Sequence, residues 1–248
     1  MTTKTRPVAD ELLDAKREIE RTLAESDADY EPLDTRPTWR GWLHAFAFVA
    51  AVFQAGVLIP LAAIESGRAA LGASLYCATM LAMFGTSALY HRRRWSTRGW
   101  KVMKRLDHSM IFLFIAGTYA PFGFIALDGA TRWWVLGAVW GGCLAGIVLK
   151  LFWPTAPRWL GVPIYITVGW AAVFVLGPLL ANGGVAALVL LIVGGVCYSI
   201  GAVCYAAKRP NPRPGHFGYH EVFHAFTLLA ATSHYIAVML TLYNSPLV

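Results

Sequence analysis

The chain carries seven apolar segments, each close to the roughly 20 residues that take a helix across a bilayer. Their expected limits are Gly41 to Ile64, Ala69 to Tyr90, Ser109 to Leu127, Trp133 to Leu151, Trp159 to Ala181, Gly183 to Ala206 and Glu221 to Tyr243. In hydrocarbon every backbone N–H and C=O must find its partner inside its own segment or a closed barrel. Runs of this length therefore predict an all-α membrane protein, a seven-helix transmembrane bundle over residues 41–248, with no room in the short connections for a second folded domain. Composition agrees: 57% hydrophobic and 14% charged residues leave too little polar surface for a soluble domain. Trp39, Trp42, Trp95, Trp100, Trp133, Trp134, Trp153 and Trp159 fall near the expected helix ends, where indole rings favour the headgroup layer.

Residues 1–40 are polar and lack the apolar core of a cleavable signal peptide. They are expected to form a tail with one short charged helix, Asp10 to Glu25, which Pro32 and Pro37 stop short of the membrane. Of the 14 acidic residues, ten lie in the first 34 positions; beyond the tail only Glu65, Asp107, Asp128 and Glu221 remain. Lysine and arginine alternate between the two sides of the expected bundle, 19 against 2. The positive-inside rule then places the N-terminus in the cytoplasm and the C-terminus outside, as for a multi-pass protein of the cell membrane. The basic stretch Arg92 to Arg105 reads as that topogenic signal and as a headgroup anchor. No nucleic-acid recognition fold accompanies it, so the expected partners are the bilayer and a membrane lipid. Cys77, Cys143, Cys197 and Cys204 all sit in apolar runs and read as small buried hydrophobes rather than a disulfide framework.

Against this background, ionisable residues inside a span mark functional places, because hydrocarbon tolerates them only when paired, coordinated or wetted. His220 and His224 stand at i and i+4 at the mouth of the last span, so both imidazoles share one helix face. Ser87 and His91 repeat that spacing at the cytoplasmic end of the second span, and Asp107 precedes the third span at the same end. Five groups suited to a metal site thus fall in one layer. Three neutral imidazoles would hold Zn²⁺ and leave its fourth position to water, the arrangement of catalytic zinc. Asp107 would accept that water's proton, and Ser87 would orient the water or stabilise an oxyanion.

The residues Ser87 to His91 (SALYH), the triplet Leu106, Asp107, His108 ahead of the run IFLFIAGTYAPF, and His220 to His224 (HEVFH) together resemble the bacterial hemolysin III family. That family is similar to the progestin and adipoQ receptors and, more distantly, to the alkaline ceramidases. The resemblance spans Trp42 to Leu242 and implies a seven-helix bundle whose zinc is held by three histidines, at positions His91, His220 and His224 here. It also implies a serine and an aspartate touching the metal-bound water, at Ser87 and Asp107. Finally, it implies a lipid-related role, either hydrolysis of a lipid amide or control of membrane lipid composition; the function expected here is zinc-dependent hydrolysis of a lipid amide or ester bond, with a non-enzymatic lipid sensor holding structural zinc as the alternative.

Other readings are weaker. His220 to His224 also spell H-E-x-x-H, in which Glu221 would be the base of a metalloprotease; no third-ligand motif of an intramembrane protease follows, and an acid in a first helical turn also suits the helix dipole or an arginine partner. A cytolytic pore needs a continuous polar lining, whereas the ionisable groups here gather at one end. His44 is expected at the interface and His216 in a loop, and His108 points about 100° away from Asp107. His234 lies about 15 Å along the axis from His224 and cannot join the same ion; it reads as a hydrogen-bonded core histidine or a cavity-lining group.

Overall fold

A computed structural model describes residues 8–26, 35–153 and 158–247; Pro32 and the extreme N-terminus of the expected tail lie outside them. The elements are α1 (Val8–Ser26), α2 (Trp42–Glu65), α3 (Gly67–Arg92), α4 (Thr97–Ala126), α5 (Gly129–Phe152), α6 (Arg158–Gly169), a 3₁₀ segment (Trp170–Val175), α7 (Leu176–Ala207) and α8 (Tyr219–Asn244). No strand longer than an isolated bridge occurs among the described residues. Among the described residues, six helical stretches are long and apolar enough to cross a membrane. Their outer faces stay apolar where no helix covers them, as at Phe53, Trp134, Phe152 and Phe174, which suits a bilayer as solvent and not water.

Local chemistry explains where the helices begin. Ser66 caps α3 by accepting the Ala69 N–H, and Ser96 caps α4 by accepting the Gly99 N–H. Helix α4 therefore starts 12 residues ahead of the apolar run expected to form it, at Thr97 instead of Ser109. Hydropathy reads only the lipid-compatible part of a helix, whereas Arg98, Lys101, Lys104 and Arg105 are good helix formers that extend it. Asp107 consequently sits within the helix, not ahead of it.

The longest stretch, Leu160–Ala207, has 48 residues; as one straight helix it would measure about 72 Å, against a hydrocarbon core of about 30 Å. It does not run straight. Gly184 has φ 81° and ψ 168°, outside the helical region, a conformation that glycine alone adopts cheaply. Ahead of it the chain runs alongside α4: the Tyr119 hydroxyl donates to the Gly169 carbonyl, and Asn182 donates to the Ala126 carbonyl. Beyond it the chain runs back along α8, with Gly194 against His234 and Gly201 against Phe226. The chain reverses at Gly184.

Small residues set how closely the helices approach. A side chain at Gly117 would overlap Thr79 of α3, and one at Gly146 would overlap the Phe112 ring of α4. The main core gathers Tyr76, Cys77, Met80, Phe84, Phe114, Ile125, Val238 and Leu242. All four cysteines are free thiols.

Candidate functional site

The end of α3, the start of α8 and the strap of residues 35–41 that leads into α2 meet at one end of the bundle. Within the strap, Arg36 Nη1 donates to the His91 carbonyl at 3.0 Å. The Thr38 and Trp39 amides donate to the carbonyls of Gly215 and His216 in the loop ahead of α8, and the Thr38 hydroxyl meets His216 Nδ1 at 2.9 Å. Gly41 closes the strap over α3 with φ +78°; an ideal Cβ there would stand 2.8 Å from His91 Cβ and 2.9 Å from Arg92 Cγ. Both its backbone sign and its closeness to α3 require glycine. The Arg92 guanidinium lies 3.3 Å above the Trp42 ring.

Beneath the strap, Arg40 Nε donates to Glu221 Oε1 at 2.5 Å, with the Glu221 side chain fully buried. Glu221 Oε2 accepts the Gly218 N–H at 2.8 Å. Both oxygens of this carboxylate hold the entry to α8 in place, and Glu221 does not line the cavity described below. The geometry makes it a clamp, not the base of a protease.

The strap and clamp bring His91, His220 and His224 together. Their ring centroids are 4.7 to 5.3 Å apart, and one ligand atom from each lies within 4.8 Å of the others. His91 Nε2 and His224 Nδ1 are buried without a hydrogen-bond partner, an expensive state for a lone pair in an apolar interior. Asp107 Oδ2 stands 4.0 Å from His91 Nε2, and the Ser87 hydroxyl donates a hydrogen bond to the Asp107 carboxylate. The five residues picked out along the sequence are therefore neighbours in space. Three imidazoles, two of them buried with an unmet lone pair, suit a borderline-soft divalent ion such as zinc better than a hard, oxygen-seeking one.

A fourth histidine belongs to the same place. The interfacial expectation for His44 fails: the residue is 3% exposed, its ring stacks on His224 with centroids 3.7 Å apart and planes 14° apart, and neither ring nitrogen has a partner. The missed signal was the presence of an imidazole inside an otherwise apolar span. Lys104 also departs from its reading as part of a headgroup anchor, since it is buried against Trp100 and lines the cavity.

From these histidines a cavity of about 410 Å³ runs between α4, α6, α7 and α8 as far as His234. Its walls are mostly apolar, with Ile115, Val162, Ile166 and Phe223 among them, and both Lys104 and Lys150 line it. The volume falls in the range of small-molecule sites.

Residues 34–235 match the family described as haemolysin-III related. This chain belongs to the hemolysin III family. Among its relatives, the hemolysin-3 homolog of Bacillus subtilis is 31% identical over 67% of this chain and 75% of its own length. Hemolysin-3 of Bacillus cereus is 30% identical over 70% and 76%. The human monocyte to macrophage differentiation factor is 24% identical over 90% of this chain and 91% of its own, which places the hemolysin III protein within the wider group of progestin and adipoQ receptor-like proteins. With its six long apolar stretches, this hemolysin III protein is a multi-pass membrane protein in a lipid bilayer.

Proposed function

We propose that this hemolysin III protein hydrolyses a lipid amide or ester bond near the cytoplasmic leaflet of the plasma membrane, using zinc held by His91, His220 and His224, and so acts in membrane lipid homeostasis. The chain crosses the bilayer seven times in this reading, N-terminus in the cytoplasm and C-terminus outside. The reversal at Gly184 supports the seventh crossing, since each limb of Leu160–Ala207 is then of bilayer length. The lysine and arginine asymmetry of 19 to 2 supports the orientation.

The observation that carries the reading is the meeting of three imidazoles, two with orphaned nitrogens, with a carboxylate 4.0 Å away at the head of a lipid-compatible cavity. Bound zinc would lower the pKa of a water from 15.7 to about 7 and polarise a carbonyl. Asp107 accepts the proton of the attacking water at Oδ2, held in place by the Ser87 hydroxyl. The water oxygen bonds to the carbonyl carbon, the C–N or C–O bond breaks, and Asp107 returns the proton to the departing amine or alcohol. The strap keeps the ring of His91 in register through Arg36, and Arg40 does the same for α8 through Glu221. The apolar walls hold the acyl chain and exclude bulk water.

Elemental analysis of protein purified without chelators tests the metal: about one zinc per chain is expected, lost in the His91→Ala, His220→Ala double variant. Asp107→Asn should keep zinc and thermal stability while hydrolysis of a lipid amide falls by at least about 100-fold. A non-enzymatic lipid sensor, in which zinc only ties α3 to α8, is the second reading; its support is that these two helices supply every proposed ligand. Full activity in cells for Asp107→Asn, combined with instability of His220→Ala, would favour the sensor.

A further inference from the structure

The cavity's polar groups fall into two sets. Thr118, Ser199 and Thr227 line it, but each hydroxyl is committed to a carbonyl of its own helix: Thr118 to Ile115 at 2.6 Å, Ser199 to Gly195 at 2.8 Å and Thr227 to Phe223 at 2.9 Å. Ser199 also accepts from Trp170 Nε1. Tyr198 and His234, which line the same cavity, are different: the Tyr198 hydroxyl and His234 Nδ1 are buried with no partner.

His234 lies ten residues beyond His224 on α8, about 15 Å along the axis, so it stands apart from the proposed metal ligands. Its Nε2 meets the Leu191 carbonyl at 3.1 Å. A carbonyl can only accept, so Nε2 carries the proton of the neutral ring and Nδ1 is left as an acceptor. Gly194 makes room for this ring: an ideal Cβ at that position would fall 2.2 Å from His234 Cδ2. The Tyr198 ring packs edge-on to it, centroids 5.5 Å apart. The deep part of an otherwise apolar cavity thus holds one acceptor and one hydroxyl, both unspent, and each costs free energy while it stays so.

We propose that Tyr198 and His234 form a second polar station that binds a hydroxyl group carried on the ligand's hydrocarbon chain, remote from the bond that reacts. A chain hydroxyl can satisfy both atoms, donating to His234 Nδ1 and accepting from Tyr198. An ether or ketone offers no proton to Nδ1, and a plain acyl chain leaves both atoms orphaned. The inference rests on the cavity being a lipid site and assigns it a substrate class, hydroxylated-chain lipids.

The test uses the full chain in nanodiscs and the pair ricinoleate and oleate, which differ by one chain hydroxyl, each competing against a fluorescent fatty acid. Both probes partition into the disc, so the readout is the ratio of their affinities in wild type set against that ratio in Tyr198→Phe. Expected is a ratio favouring ricinoleate by about tenfold more in wild type than in the variant, with oleate bound equally by both proteins, which shows the variant folded. An unchanged ratio overturns the station, as when a water already fills it, and leaves the lipid cavity standing. Displacement by neither probe overturns the station together with the lipid reading of the cavity.

Discussion

The two ends of the bundle are closed by opposite means. Where α4 ends, the last carbonyls that every helix leaves unpaired are met by side chains from elsewhere. Arg132 donates to Gly123 and Leu127, Asn182 to Ala126, and Ser245 to Ile125, while Asn244 donates to Gly183 beside the reversal. At the other end, the Arg40–Glu221 pair and the strap are also satisfied, but they enclose both ring nitrogens of His44, His91 Nε2 and His224 Nδ1, which are not. One end is complete as a protein; the other has hydrogen-bonding capacity in excess of what the chain itself can fill. Natural interiors seldom leave such groups unpaired, so the excess marks where a ligand belongs.

The sharpest way to break this contrast is Glu221→Gln. It keeps the shape but leaves the buried Arg40 guanidinium facing an amide, which should cost about 3–5 kcal/mol. Thermal unfolding in detergent should show that loss together with reduced zinc content, because the clamp holds the entry to the helix carrying His220 and His224. An unchanged melting temperature would mean that the strap does not position the site.

Arg132→Ala should act at the closed end alone. Removing charge-assisted hydrogen bonds to two buried carbonyls should cost about 1.5–3 kcal/mol, and the loss should be the same with zinc present or chelated. A loss that vanishes on chelation would couple the two ends and sink the contrast. The smallest effect is expected for Ser245→Ala, about 1 kcal/mol from the loss of its neutral hydrogen bonds to the Ile125 carbonyl and the Leu247 N–H, with zinc content untouched on elemental analysis.

Much of this arrangement was legible before any coordinates. Local spacing sufficed for the membrane class, the sharing of one face by His220 and His224, and the matching placement of Ser87 and His91, because helical periodicity is a property of neighbours. The break near Gly184 was also anticipated, as a boundary between Ala181 and Gly183. Other features escaped. Helix α4 begins well before its apolar run because capping and helix propensity, not hydropathy, determine its start. His44 looked interfacial because its position along α2 says nothing of its rotation toward α8. The cavity was permitted by the sequence but not drawn by it.

By itself the sequence determined that this chain is a helical membrane protein of the hemolysin III family, and which few polar residues its apolar helices would have to accommodate. Only the tertiary structure decided that Arg40 closes on Glu221, that His44 stacks on His224, and that Tyr198 and His234 face one cavity with their polar atoms unspent. Arg40 and Glu221 are 181 positions apart, and His44 and His224 are likewise brought together by the packing of separate helices. Such contacts depend on how whole helices rotate and pack against one another, a collective outcome of side-chain volumes and glycine gaps that no local pattern encodes.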